Sequence, residues 1–316
     1  MKYSTLPKSR SGFTLIELLV AMAITIVLLG VLVYLTGISM DTYRDSRNEV
    51  RASRQAKDAL EKISKDFESM ISRRDGNSYE WLYAGVDSKS NVDDPTGPSG
   101  QDGQITNRAQ LIFFTGATDR YDGQIGDPDE DGGGDVSAVG YRLTFNDQIG
   151  DGASQEHAVF SLYRHLINPG SRPETDEDNT FDNLLAQENL KQAYDVFEDD
   201  DISPENFLAE NIYEFTVTFL VEYTPSGTGM TNIERVTLRQ NGTSNYSEFR
   251  LKGNGIVATG PKAADIANGR IMGVEVSITV LSDRGLTLAK KAGLSKEELV
   301  KKHGYHYTKT INTPRP

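Results

Sequence analysis

The sequence predicts an α+β chain, in which one long N-terminal helix packs on an antiparallel β-sheet head. Two observations predict it. Leu18 to Met40 is a run of 23 residues without a formal charge, followed by an apolar stripe at helical spacing. From Tyr79 onward come short segments rich in aromatic and branched residues, separated by Gly, Asp and Pro clusters.

The uncharged run comes first. At a rise of about 1.5 Å per residue, a helix of that length crosses the roughly 30 Å hydrocarbon core of a bilayer. Lys2, Lys8 and Arg10 precede it and no acidic residue lies before Glu17, so the charge bias places the first residues on the cytoplasmic side and the rest outside. A cleaved secretory signal would have a shorter apolar region and a small-x-small site at its far end; this run ends in TGISMDTYRD. An ordinary signal anchor accounts for length and orientation. It does not account for Glu17, a carboxylate at the membrane entrance that costs a few kcal/mol unless it is paired or stays near the interface.

Gly12, Phe13, Thr14, Leu15, Ile16, Glu17, Leu18 and Leu19 form the string GFTLIELL after a short basic leader. This string resembles the signature of type IV prepilins and type II secretion pseudopilins. The resemblance implies a cut by a prepilin peptidase between Gly12 and Phe13 on the cytoplasmic face, N-methylation of Phe13, and an apolar helix that stays with the mature protein in the inner membrane. The residues agree with that implication. Glu17 lies four residues beyond Phe13, on the same helical face. In a filament its carboxylate would neutralise the new Phe13 amine of a neighbouring subunit and set the register between subunits. Many pilins carry a proline midway along this helix; Leu18 to Met40 has none.

The helix continues past the run. Ala56, Leu60, Ile63, Phe67 and Met70 recur at spacings of four and three, with Arg54, Lys57, Asp58, Glu61, Lys62 and Lys65 between them, one apolar stripe on a polar cylinder. Asp75 and Gly76 predict its end, so a helix from Leu15 to Arg74 would be about 90 Å long. A juxtamembrane coiled coil is the alternative reading of this half. The division predicted is a leader over 1–12, a transmembrane helix over 13–40, its amphipathic continuation over 41–75, and a periplasmic head over 76–316. With the resemblance, this is a pilin-like lollipop.

The head segments Trp81 to Val86, Gln110 to Thr115, Ala138 to Phe145 and His157 to Leu166 read as strands of an antiparallel sheet. The clearest alternation sets Tyr213, Phe215, Val217, Phe219, Val221 and Tyr223 against Glu214, Thr216, Thr218 and Glu222. Val274, Val276, Ile278 and Val280 repeat it against Glu275, Ser277 and Thr279. The helical stripe ending at Met70 is the predicted cover for the apolar faces. Phe181 to Phe197 predicts one helix, and Ser295 with Glu298 a capping box opening another through Lys302. Within the pseudopilins, LAENIYEFTVTF (Leu208 to Phe219) and GVEVSITVLSDRG (Gly273 to Gly285) resemble paired strand segments of J-type minor pseudopilins and the related W-type minor pilins. The chain is long for that subfamily, and 87–108, 119–135 and 169–180 read as inserted acidic loops. Glu17 argues against K-type subunits, which generally lack that carboxylate, and the long head argues against a major subunit.

Charge and composition exclude several classes. A net charge of -13 and a pI near 4.9 repel a phosphate backbone, which argues against nucleic acid as a partner. With no Cys there is no disulfide, thiolate metal site or Cys nucleophile. No G-x-S-x-G, phosphate-cradling glycine loop or H-E-x-x-H occurs, so no enzyme is predicted. The loop DPDEDGGGD satisfies the D-x-D-x-D-G opening of a calcium site, with Asp127, Asp129, Asp131 and Asp135 as candidate ligands. Its twelfth position is Ala138 rather than a bidentate glutamate, and a solvated acidic turn is the alternative. The reading for the whole chain is a structural minor pseudopilin or pilin subunit, assembling with other such subunits. Its alternative is a tip-located, calcium-dependent adhesin or cargo-binding module on the same anchor. His303 and His306 have no carboxylate-rich partner nearby in sequence. The basic end from Lys290 reads as a solvated tail, the alternative being a contact with an acidic neighbouring subunit.

Overall fold

The computed structural model describes residues 14–86, 107–117, 136–146, 158–167, 169, 184–196, 204–225, 229–239, 244–289 and 296–314. The chain divides into two compact units, residues 1–50 and 51–316.

In the first unit the described residues form a single element, the start of helix α1 (Leu15–Glu68). Its large apolar side chains from Leu15 to Met40 are all between 47 and 77 % exposed. A helix that is apolar and exposed all round suits lipid. Proline is absent from α1, and its two glycines, Gly30 and Gly37, have open space where a side chain would stand.

The second unit begins inside the same helix, where the pattern narrows to a stripe. Ala52, Ala56, Ala59, Leu60, Ile63 and Phe67 are buried, while Arg54, Lys57, Asp58, Glu61 and Lys65 between them stay exposed and Asp66 alone of the charged residues there is buried. Three of the six are alanines, so the helix backbone can lie close to what it covers. The helix ends at Glu68, one and a half turns before the predicted Arg74. Sheet pairing takes over there: Met70 bridges Thr115, and the Ile71 amide donates to the Phe114 carbonyl at 2.8 Å.

The strands fall into two antiparallel sheets where one was expected. The first contains β1 (Glu80–Val86), β2 (Ala109–Thr115), β3 (Ser137–Asn146), β4 (Val159–Ile167), β5 (Phe207–Glu210), β8 (Glu248–Lys252) and β9 (Gly255–Thr259), in the order β5-β4-β3-β2-β1-β8-β9. The second is β11-β10-β6-β7, formed by β6 (Ile212–Tyr223), β7 (Asn232–Thr237), β10 (Arg270–Leu281) and β11 (Gly304–Asn312). The chain changes sheets at Asn211, which takes φ 60 between β5 and β6. Asn tolerates that left-handed conformation better than most residues.

Aromatic rings join the layers. Phe67 of α1 stacks on Phe113 of β2 with centroids 4.4 Å apart; Phe113 neighbours Tyr141 of β3, and Tyr141 neighbours Phe215 of β6 in the other sheet. Phe219 and Phe249 make a second stacked link between the sheets at 4.3 Å. The predicted helical cover is therefore in place, and the two sheets cover each other as well.

Three further elements differ from expectation. Thr216 and Thr218, predicted on a solvent face, are buried. The Thr218 hydroxyl bonds that of Thr237 on β7, a partner far along the chain. The single helix predicted over Phe181 to Phe197 is a short turn at Leu184–Ala186 followed by α2 (Leu190–Val196). The break has a cause: the fully buried Glu80 accepts from the Leu190 amide at 2.7 Å and caps α2 from another strand. Within the basic end, Gly304–Asn312 forms strand β11 instead of a solvated tail, with Tyr305, Tyr307 and Ile311 alternating with His306, Thr308 and Thr310. The second unit is completed by the short helices α3 (Ala263–Ile266), α4 (Asp283–Ala289) and α5 (Lys296–His303).

Candidate assembly site

Gly12 and Phe13 lie outside the described residues, and the site is built from Thr14 onward. Thr14 is the N-cap of α1 and Glu17 is its third helical residue, a capping box. The Thr14 amide and hydroxyl both donate to Glu17 Oε2 at 2.9 Å, and the Glu17 amide donates back to Thr14 Oγ1 at 3.3 Å. In the single chain the carboxylate is thus held at the first turn by local donors, and it stands at the exposed end of the helix. No cationic side chain among the described residues is paired with it, so a positive group from outside would meet an intact negative charge.

The threonine and serine hydroxyls further along this segment are paired inside the helix. Thr25, Thr36, Ser39 and Thr42 each donate to the carbonyl four residues earlier, at 2.8 to 2.9 Å. These bonds satisfy polar groups that a bilayer could not. The helix meets the length and composition of a membrane span, and none of that apolar window is buried.

Against known proteins, a family model described as the prokaryotic N-terminal methylation motif matches residues 7–33. The N-terminus of the chain is type IV prepilin-like. The matched residues contain the GFTLIELL string and more than half of the uncharged run, so the motif and the membrane helix are one feature. The motif together with the apolar helix fits a single-pass, membrane-anchored protein, and the motif implies a prepilin peptidase and other pilin subunits as partners. No curated protein and no solved structure matches the chain.

The second unit of the pilin-like chain holds an anchor that the residue pattern did not reveal. Asp66, on the buried side of α1 and only 2 % exposed, accepts from Arg164 Nε at 2.6 Å and from Arg164 Nη2 at 2.8 Å. The Tyr141 hydroxyl donates to the same carboxylate. Burial, and then the Asp66 charge, hold the Tyr141 phenol well above the usual tyrosine range, so it remains a donor. A two-pronged buried pair of this kind fixes the rotation of the helix against β3 and β4. The sequence showed Asp66 as one more charge among many. Its only signal was position: Asp66 adjoins Phe67 and lies three residues past Ile63, at the edge of the apolar stripe.

Glu80 forms a second buried centre, with Arg250 at 2.8 Å, Lys252 at 3.3 Å and the α2 amide. Burial works against the Arg250 charge, but the hydrogen bonds it donates to Glu248 and Glu80 outweigh it and raise its pKa. Both centres tie elements together.

Asp127, Asp129, Asp131 and Asp135 lie outside the described residues. Among the described residues no group of three or more His, Asp or Glu could hold a metal. His306 sits on β11, where its ring bonds the hydroxyls of Thr279 and Thr308 at 3.3 and 3.1 Å.

Proposed function

We propose that this pilin-like chain is a structural, non-enzymatic minor pseudopilin of the J-like kind, cut between Gly12 and Phe13 and methylated on Phe13. It joins a periplasmic pseudopilus or its tip in type II secretion or a related pilus system. One observation carries the reading: Glu17 stands four residues past Phe13 at the start of a helix whose apolar length is unbroken. A lone anchor can use that carboxylate only as a local helix cap, whereas a filament can also set it against the Phe13 amine of the next subunit. Lys2, Lys8 and Arg10 support a cytoplasmic leader over 1–12 and a periplasmic head over 76–316. The strand segments Leu208 to Phe219 and Gly273 to Gly285, which form β5–β6 and β10, support the J-like assignment.

Coexpression with a prepilin peptidase, followed by mass spectrometry of the mature N-terminus, tests it. The expected product begins at methylated Phe13, and a chain that still begins earlier refutes the reading. Glu17→Ala should leave cleavage intact while filament recovery falls; filaments assembled as well as wild type would remove Glu17 from assembly.

A second reading keeps the anchor and makes the head a calcium-dependent adhesin or cargo-binding module. The D-x-D-x-D-G pattern at Asp127, Asp129 and Asp131, with Asp135 beyond, is the observation in its favour. Calorimetric titration with calcium showing neither heat nor a change in melting temperature would remove it.

A further inference from the structure

The two sheets leave four edges, and the edge strands β5, β9, β7 and β11 have four, five, six and nine residues. β7 is already partly covered, because the Tyr246 amide donates to the Thr237 carbonyl and the Arg239 amide to the Tyr246 carbonyl. β11 is the longest edge, and among the described residues only β10 pairs with it.

Its register fixes what its free side offers. The Ser282 amide donates to the His303 carbonyl, which places pairs 282/303, 280/305, 278/307 and 276/309 on hydrogen-bonded rungs. The intervening rungs Thr279↔His306, Ser277↔Thr308 and Glu275↔Thr310 are then non-hydrogen-bonded, in agreement with the close Ser277 and Thr308 hydroxyls at 2.9 Å. The Leu281 amide donates to Asn211, on the β6 side, as this phase requires. The amides and carbonyls of His306, Thr308 and Thr310 therefore point outward, on three exposed residues. The pairing with β10 has no register shift, and the strand contains no proline. An edge of this length and regularity is usually blocked or paired.

Charge distinguishes the kinds of strand it can take. From Lys290 onward there are seven Lys and Arg against two Glu, in a chain whose net charge is -13. Lys301 and Lys302 on α5 are exposed and Lys309 on β11 is half-buried. A second copy pairing β11 to β11 about a twofold would set these like charges against each other. We propose that the outer edge of β11 is a docking strand that takes an acidic, extended segment of a different protein as an added strand of this sheet. Main-chain hydrogen bonds supply affinity, and the lysines select an acidic partner. The surface belongs to the second unit and does not depend on the pseudopilin reading.

The test uses the full chain in neutral-lipid nanodiscs and a labelled nine-residue peptide alternating Glu and Val, with a Lys-for-Glu twin as control. The acidic peptide should bind, and hydrogen exchange at His306, Thr308 and Thr310 should slow. Thr308→Pro removes one outward amide without touching the ladder to β10, and should weaken binding about tenfold, the effect of roughly 1.4 kcal/mol. Lys301→Glu with Lys302→Glu and Lys309→Glu should abolish binding while leaving the edge amides in place, and is decisive if the proline variant does not fold. Equal binding of the basic twin, wild-type affinity in both variants, or protection located away from β11 would overturn the proposal. So would loss of peptide binding in anionic-lipid nanodiscs, which would make the basic end a lipid contact.

Discussion

Replacing Asp66 by Asn tests the buried anchor most directly. The substitution keeps the shape and one acceptor for Tyr141, and removes only the charge that Arg164 grips with two nitrogens at 2.6 and 2.8 Å. The Arg164 side chain is 9 % exposed, so the substitution removes the carboxylate that its two nitrogens grip inside the protein. Breaking a buried pair from one side costs about 3–5 kcal/mol, mostly from the stranded partner. Trp81 is the only tryptophan, is buried and packs edge-on to Phe114 at 5.7 Å, so its fluorescence reports unfolding of the second unit. With a urea slope of about 2–3 kcal/mol per molar, Asp66→Asn should move the midpoint down by about 1–2 M. Removing the cation too should recover part of the loss, so Asp66→Asn with Arg164→Met is expected to be more stable than Asp66→Asn alone. A single-variant cost under about 1 kcal/mol, or a double variant less stable than the single, would refute the claim that the pair is buried and coupled.

Two other predictions use the same assay. Asn211 has φ 60, so Asn211→Gly should exceed Asn211→Ala in stability by about 1–2 kcal/mol, because both remove the amide and only Ala keeps a Cβ in the left-handed region; equal stabilities would show that the backbone relaxes. Burial, with the Glu214 carboxylate beside it, pushes the Tyr213 pKa up to about 12. The folded state keeps this proton while an unfolded tyrosine loses it near 10, so the stability is complete below about pH 10 and falls through pH 12, by about 2–3 kcal/mol. Tyr213→Phe should flatten that decline between pH 10 and 12, and parallel curves for the two proteins would refute it.

Much of this was legible in the residue order because it depends on local patterns. Period 3.6 through Phe67, and the aromatic and branched runs that became β1 to β4, β6 and β10, survive folding, since each apolar face must be covered by something. The N-terminal motif was equally legible, as contiguous residues in a fixed spacing, and the match to residues 7–33 rests on that same string. Thr14 with Glu17 was written in the sequence as a capping box, though a carboxylate in a membrane run drew attention to its charge first. Other features were hidden because their partners are remote. Asp66 meets an arginine 98 residues away and Glu80 an arginine 170 residues away, and no local pattern marks a charge that will be buried.

The sequence by itself determined the membrane helix, the processing motif and the strand-rich class, because hydrophobic length, contiguous spacing and alternation act within a few residues. Tertiary structure alone decided that the strands divide into two sheets at Asn211, that the helix stops at Glu68, and that a basic terminus becomes β11. Each of those outcomes is set by backbone pairing between segments far apart in the chain, and pairing energy of that kind leaves no mark on either segment alone.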